Sequence, residues 1–215
     1  MVEVQLGFKT IDLPYTISVY GVTEEMFDEL VDEDTKAELI DGLMIVHSPG
    51  SLRHEHVSGF LGRLMSFYAD AKGHGIVIAS GNGVVHLATC RKFSPDVYFI
   101  RQERVPTTFP KEFEGAPDLV IKVLSPSTRH EDLNRKRAAY HEAGVGEIWS
   151  VDFKNRRFVI DRKGAHGYIE EVVSEGMAFS SVLDGFWVKV AWVWAEPLPN
   201  RMSCLQEILD RSPSG

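Results

Sequence analysis

The chain has 215 residues, of which 44% are hydrophobic and 25% are charged, as in an ordinary globular protein. Its 23 basic and 31 acidic residues give a net charge of −8. This balance argues against a protein that coats nucleic acid regardless of sequence, since such a protein needs a broad basic face. A local basic cleft is still compatible with it, because residues 129–137 hold four basic residues against two acids. The alternative for that segment is a solvated helix surface.

Several cellular contexts are also disfavoured. No run of eighteen apolar residues predicts a membrane span, and the first ten residues lack the basic head and apolar block of a secretory signal. Cys90 and Cys204 have no metal-ligand or redox spacing, so we expect reduced thiols in a cytoplasmic protein. No linker divides the chain, which predicts a single domain with an N-terminal arm over 1–22 and a loose tail over 196–215.

The first half of the chain predicts alternating helices and strands. Thr23, followed by acids and apolar residues, predicts a capped helix that ends near Val31. The Asp41-Gly42 pair inside 36–47 predicts a tight β-hairpin. Apolar residues at three- and four-residue steps predict a long helix over 51–72, ended by glycines. Three β segments are expected next, at 76–79, 84–88 and 94–100.

The middle of the chain predicts a strand, a helix and a second strand. Residues 118–124, DLVIKVL, are almost continuously apolar, which is typical of a central strand buried on both faces beside a parallel neighbour. Thr128 with Glu131 forms a capping box for the helix, and Gly144 is its expected stop. The next strand is expected at 147–153, which makes the three elements a right-handed crossover unit.

The last third predicts an antiparallel pair at 156–162 and 168–173, then a strand at 187–190 and the start of a short helix at 192–194. Trp187, Trp192 and Trp194 are interpreted as core or subunit-contact residues in preference to a ligand cage. The tail is expected to hold one helical turn, at 205–209.

Acidic residues at strand starts are the first candidates for chemistry. Asp96 and Asp118 each follow a proline where a strand begins, and Glu38 lies where an apolar strand begins. Carboxylates that converge from separate strands can hold a hard cation such as Mg²⁺. An acid at a strand edge is more often simply solvated, and spacing alone does not decide whether these side chains meet.

Lys136 and Tyr140 lie four residues apart and therefore project from one face of the predicted helix. If that face packs on the sheet, Lys136 needs a buried partner, because an unpaired buried charge is costly. The alternative is an exposed pair of Lys136 with Asp132. His54 and His56 open the long helix two residues apart, so a shared metal site is disfavoured.

The order of these pieces is itself informative. The chain reads AELIDGLMIVHSP, RHEHV, SPDVYFI and APDLVIKVLSPST, then D-xxx-K-xxx-Y and GVGEIW. Over about 20–194 it resembles the Uma-two family of putative restriction endonucleases, which is assigned to the PD-(D/E)xK nuclease superfamily. The resemblance implies an α/β fold with a restriction-endonuclease-like core, in which helices flank a mixed sheet and an antiparallel β segment is added at the C-terminal end. It also implies Mg²⁺-dependent cleavage of DNA phosphodiesters, with Mn²⁺ as a substitute.

The resemblance also assigns residues. Glu38 matches the family's early acid and Asp96 matches the acid of the PD motif, so both are implied metal ligands. Lys136 matches the family's helix lysine, and Tyr140 matches the aromatic residue one turn later. His54 matches a histidine at the start of the long helix that has no assigned role.

Position 122 departs from the family pattern, because Lys122 stands where the family has a metal-binding glutamate. An ammonium group cannot bind Mg²⁺. Asp118 cannot replace that glutamate, since four residues of strand place it about 13 Å away.

Three outcomes stay open. Glu38 and Asp96 hold the metal while both lysines stabilise phosphate charge, or Lys122 pairs with Asp96 and fills the cation site of a pseudo-enzyme. In the third outcome the protein keeps only a binding role, towards DNA or towards another subunit. The expected partners are DNA and a second copy in a homodimer.

Overall fold

The structure is a computed structural model that describes residues 16–32, 35–79, 81, 83–124 and 132–211. In this part of the chain, two six-stranded sheets and one two-stranded sheet pack with five α-helices. The helices are α1 (Glu24–Leu30), α2 (Leu52–Lys72), α3 (Arg137–Ala143), α4 (Val190–Trp194) and α5 (Arg201–Arg211). A 3-10 turn spans Gln102–Arg104, and a π-helical turn spans Asp132–Lys136 directly before α3.

The strands in chain order are β1 (Thr16–Tyr20), β2 (Ala37–Ile40), β3 (Leu43–His47), β4 (Gly75–Ile78), β5 (Val85–Ala88), β6 (Arg91–Phe93), β7 (Val97–Arg101), β8 (Phe113–Glu114), β9 (Leu119–Leu124), β10 (Glu147–Asp152), β11 (Arg157–Gly164), β12 (Gly167–Val173), β13 (Met177–Phe179) and β14 (Trp187–Lys189). The first sheet has the order β1-β3-β2-β6-β5-β8, and the second has the order β12-β11-β10-β9-β7-β4. Each contains one parallel pair among antiparallel pairs, which confirms the predicted mixed architecture.

Local sequence signals set most element boundaries as predicted. The hydroxyl oxygens of Thr23 and Ser51 each accept a backbone N–H from the first turn of α1 and α2, at 3.2 Å. Gly73 and Gly144 end α2 and α3 in the left-handed conformation, with φ of 65° and 83°. The predicted capping box of Thr128 and Glu131 lies outside the described residues.

The central strand has the predicted character. All six residues of β9 are buried, and β9 pairs in parallel with β10 and antiparallel with β7.

The hairpin of β2 and β3 turns through Asp41 and Gly42, which both have positive φ. The predicted antiparallel pair of β11 and β12 is also present.

The strand predicted over 94–100 begins later than expected. Residues 94–96 form no strand and β7 begins at Val97, while a separate strand, β6, precedes them at Arg91–Phe93. Pro95 has no N–H to continue a ladder, and at this point the chain passes from the first sheet to the second. Asp96 therefore lies at the crossing between the two sheets.

The largest core cluster lies between α2 and the second sheet. Trp149 packs edge-on against Phe158, with ring centroids 5.7 Å apart. Trp187 is buried in this cluster and stacks on Trp192 at 5.5 Å, and Trp194 packs against Phe153 at 5.2 Å. The core interpretation of these tryptophans is confirmed.

The predicted loose tail is wrong for residues 201–211, which form α5. Cys204, Leu205 and Ile208 bury one face of this helix in the same core as α2. The side-chain oxygen of Asn200 accepts the N–H of Met202 at 2.9 Å and so begins the helix. At the other end, β1 provides the predicted short strand of the N-terminal arm by pairing with β3.

Cys90 and Cys204 are free thiols, as predicted. Within the described part of the chain, every helix is too short or too polar to cross a bilayer.

Candidate functional site

Four predicted site residues come together where the two sheets meet. Glu38 lies on β2 of the first sheet, and Asp96 lies in the crossing segment between β6 and β7. Lys122 lies on β9 of the second sheet, and Lys136 ends the π-helical turn before α3. All four are buried.

Asp96 is surrounded by donors. Its Oδ2 accepts the backbone N–H of Val123 at 2.7 Å, and its Oδ1 lies 3.4 Å from the Nζ atoms of both Lys122 and Lys36. The Nε2 of His54 lies 3.6 Å from Oδ2. Burial alone disfavours the charged carboxylate, but these cations, Lys122 first, outweigh burial and hold the pKa of Asp96 far below its ordinary value.

Glu38 is held in the same manner. Its Oε1 accepts the backbone N–H of Ser94 at 3.0 Å. Its Oε2 accepts one hydrogen bond from the Nε2–H of His47, at 2.7 Å, and a second from the ammonium of Lys136. Burial raises the pKa of Glu38, but the charges of Lys136, His47 and Lys122 together lower it well below its ordinary value.

The ammonium of Lys122 joins the two carboxylate environments. Its Nζ donates to the carbonyl oxygen of Ser94 at 3.2 Å and faces Asp96 at 3.4 Å, while the N–H of Ser94 binds Glu38. Of the two alternatives that the sequence left open for Lys136, the buried one is observed, and Glu38 accepts a hydrogen bond from its ammonium.

The site opens on a cleft of about 570 Å³. Lys36, His47, His54 and Arg63 line it together with Asp96, and Glu55 adds one acid. Burial works against a charged imidazole, yet the facing carboxylate of Asp96 outweighs it and raises the pKa of His54. A cleft with this lining is suited to an anion.

A sequence profile of the Uma2 family, described as "Putative restriction endonuclease", matches residues 24–191 of the chain. The chain belongs to the Uma2 family. The matched range contains the whole of the site described above. No functionally curated protein matches the chain in sequence.

The fold of this Uma2 protein is similar to the crystal structure of a "putative nuclease" from Anabaena variabilis. The TM-score is 0.69 at 16% sequence identity, over 80% of this chain and 97% of the other. This similarity supports the predicted nuclease-like fold with mixed sheets flanked by helices.

Tyr140 and Asp118 are two further candidate residues of this Uma2 protein, and their described contacts are with residues other than Glu38 and Asp96. The buried ring of Tyr140 packs edge-on against Phe93, with centroids 5.3 Å apart. Asp118 accepts the N–H of Arg101 at 3.0 Å and lies 3.0 Å from a guanidinium nitrogen of Arg104. Asp118 is thus held by arginines just before β9 begins, and the functional role of Tyr140 stays a prediction.

Sequence reasoning missed Lys36 and His47. Lys36 lies two residues before Glu38, so it projects from the same side of an extended chain. His47 donates its backbone N–H to the carbonyl of Lys36 at 2.9 Å, at the open end of the hairpin. The hairpin register was therefore the signal that could have placed both beside Glu38.

The donors around Glu38 and Asp96 do not fit a directly bound divalent cation. Each of their four carboxylate oxygens already accepts from a protein donor. Of the described side chains that contact either carboxylate, three are lysines and two are histidines. At about 4 Å from a single ammonium, a divalent cation would experience roughly 8 kcal/mol of repulsion at the effective dielectric of a protein site.

A separate group of possible ligands lies between β5 and β8. Ligand atoms of His86, Glu112 and Glu114 all lie within 4.8 Å of one another. The ammonium of Lys92, buried beside them, lies 3.1 Å from Glu112 and 2.6 Å from Asp28. This acidic group therefore already contains a protein cation.

Proposed function

We propose that this Uma2 protein binds the phosphodiester backbone of DNA in the cleft above Asp96, and that Lys122 prevents the metal-dependent cleavage which the family resemblance implies. Two findings support a role on nucleic acid. The family is described as "Putative restriction endonuclease", and a structure described as a "putative nuclease" shares the fold.

The observation that carries the proposal is the pairing of Lys122 with Asp96. An ammonium 3.4 Å from the Asp96 carboxylate supplies positive charge at the place where the family pattern puts a glutamate and its cation. A buried carboxylate that is already neutralised has little affinity left for a second cation. Lys136 neutralises Glu38 in the same way.

The cleft supplies what binding requires. Lys36, His54 and Arg63 place positive groups along a concave surface of a chain whose net charge is −8. A basic cleft on an acidic protein directs DNA to one location, because the remaining surface repels the phosphate backbone. Binding of this kind weakens steeply as the salt concentration rises.

Fluorescence anisotropy with labelled duplex and single-stranded DNA in EDTA tests the proposal. We expect salt-sensitive binding that weakens several-fold in Arg63→Gln, because Arg63 lines the cleft. Lys72→Gln is the matched control, since Lys72 lies nine residues further along α2 and projects from the opposite side of the helix. Absence of DNA binding even at low salt would overturn the proposal.

An active endonuclease is the second candidate, because Glu38, Asp96 and Lys136 converge at the positions that the resemblance assigns. In that case Lys122 and Lys136 would stabilise charge on the phosphate. Cleavage of a broad DNA panel with Mg²⁺ or Mn²⁺ that disappears in Asp96→Ala would establish it. The homodimer also stays a prediction, to be checked by light scattering.

A further inference from the structure

We propose that Lys36 and His54 form a phosphate-binding site that works without a metal ion, with the Lys122 ammonium behind them. The inference rests on the proposed function and specifies how the cleft recognises its ligand. The ligand is a phosphate group of a nucleic acid, either a backbone phosphodiester or a terminal phosphate.

The first argument is the number of positive groups on one carboxylate. Lys36 and Lys122 both face Oδ1 of Asp96 at 3.4 Å, and His54 faces Oδ2 at 3.6 Å. Together with Glu55, which lies 3.1 Å from Nδ1 of His54, two carboxylates face these three groups. All three distances also exceed the 2.7–2.9 Å of a strong charge-assisted hydrogen bond. The positive groups therefore outnumber the carboxylates, and Lys36 and His54 are held beside Asp96 at the cleft, where they can bind a second anion.

The second argument is where these groups lie relative to the cleft. Lys36 and His54 line the cleft with 24% and 13% of their side chains exposed, whereas the Asp96 side chain is only 2% exposed. Oδ2 of Asp96 is also fixed by the N–H of Val123. A ligand that enters the cleft thus meets the two donors before it meets the carboxylate.

The third argument is the preset orientation of His54. Its Nδ1 lies 3.1 Å from Oε1 of Glu55, which holds the ring with Nε2 directed towards Asp96. Its backbone N–H is capped by Ser51 in the first turn of α2. The ring therefore stands at the positive end of a 21-residue helix, where an anion is stabilised. A ligand phosphate would find this donor already in place, which lowers the entropic cost of binding.

The test measures oligonucleotide binding in EDTA by anisotropy over a range of salt concentrations. Lys36→Gln and His54→Gln should each weaken binding about tenfold, since each removes one charged hydrogen bond to phosphate. Lys36→Gln should also lower the salt slope by about one. Lys36→Arg should keep most of the affinity, and Lys72→Gln should bind like the wild type. Thermal melts of every variant show whether a loss of binding reflects a loss of folding.

Oligonucleotides with and without a 5′-phosphate separate the two ligand sources. A loss in both variants that is equal for both oligonucleotides supports backbone recognition, and a loss confined to the phosphorylated one supports recognition of the strand end. EDTA-resistant binding that is unchanged in both folded variants would overturn the inference and leave the proposed function standing. Wild-type binding that appears only with Mg²⁺ would overturn both. No binding under any condition would reject the proposed function itself.

Discussion

Replacing Lys122 with glutamate should turn the buried ion pair into a divalent-cation site. The wild-type site has three lysines in contact with Glu38 and Asp96, and the imidazoles of His47 and His54 also face these carboxylates. The Lys122→Glu variant has two lysines and three carboxylates, which makes the charge of the site two units more negative. A glutamate oxygen also ends one bond nearer the backbone than the lysine nitrogen, so the space now filled by the ammonium becomes available for a cation.

The magnitude follows from the contacts that change. Without metal, the variant loses the 3.4 Å contact of Lys122 to Asp96 and the hydrogen bond to Ser94, and it gains a buried acid. Breaking a buried pair costs about 3–5 kcal/mol. Asp96 keeps Val123 and Lys36 as partners. We therefore expect the free energy of unfolding to fall by about 3 kcal/mol, the lower end of that range.

Metal should restore part of that loss only in the variant. A site with a Kd of about 1 mM gains roughly 1.4 kcal/mol at about 10 mM Mg²⁺. For a domain of this size, each kcal/mol raises Tm by about 2–4 °C, so Mg²⁺ should raise the Tm of Lys122→Glu by about 3–6 °C. The wild type should show no saturable rise.

Differential scanning fluorimetry with Mg²⁺ titrations at constant ionic strength measures these shifts. Lys122→Gln is the matched control, because it removes the same ammonium without adding a carboxylate. Equal Mg²⁺ shifts in Lys122→Glu and Lys122→Gln would refute the reasoning, and a saturable shift of similar size in the wild type would refute the conclusion that the ammonium fills the site.

Two further predictions concern stability. The lowered pKa values of Glu38 and Asp96 mean that both carboxylates stabilise the fold above their unfolded values near 4.5 and 3.8 and lose that contribution as pH falls. The urea concentration at half unfolding should therefore decrease as the pH is lowered below about 4.5. A urea midpoint that does not change with pH in this range would contradict the pairing. Glu147→Ala should cost about 3 kcal/mol, since buried Glu147 accepts from the indole of Trp149 at 2.8 Å and from the backbone N–H groups of Ser181 and Val182. Urea unfolding followed by tryptophan fluorescence measures this loss, and a change below about 1 kcal/mol would mean that water replaces the carboxylate.

The elements that the sequence predicted correctly are those specified by neighbouring residues. Asp41-Gly42 requires a backbone with positive φ, and Gly144 ends a helix for the same reason. The buried strand at Leu119–Leu124 follows from an apolar run that only Lys122 interrupts. The spacing of Lys136 and Tyr140 placed both on one helix face, and of the two alternatives left open for that face the buried one is observed.

The features that were missed depend on contacts distant in sequence. The three-residue strand Arg91–Phe93 has two basic residues, and pairing with β2 and β5 makes it a strand. Helix Arg201–Arg211, of which only the turn at 205–209 was predicted, is stabilised by packing on the core beside α2. Lys36 approaches Asp96 only because the chain crosses between the sheets sixty residues later.

The crossing segment fixes where the charged groups of the site meet. The backbone of Ser94 donates to Glu38 through its N–H and accepts from Lys122 through its carbonyl, so one peptide segment fixes both buried pairs. Asp96 follows two residues later and is fixed in turn by Val123. The backbone therefore sets where the charged groups meet, and the side chain at 122 sets their sign. Glutamate at that position shifts the charge of the site by two units towards one that binds a divalent cation, whereas Lys122 favours the direct binding of phosphate that we propose.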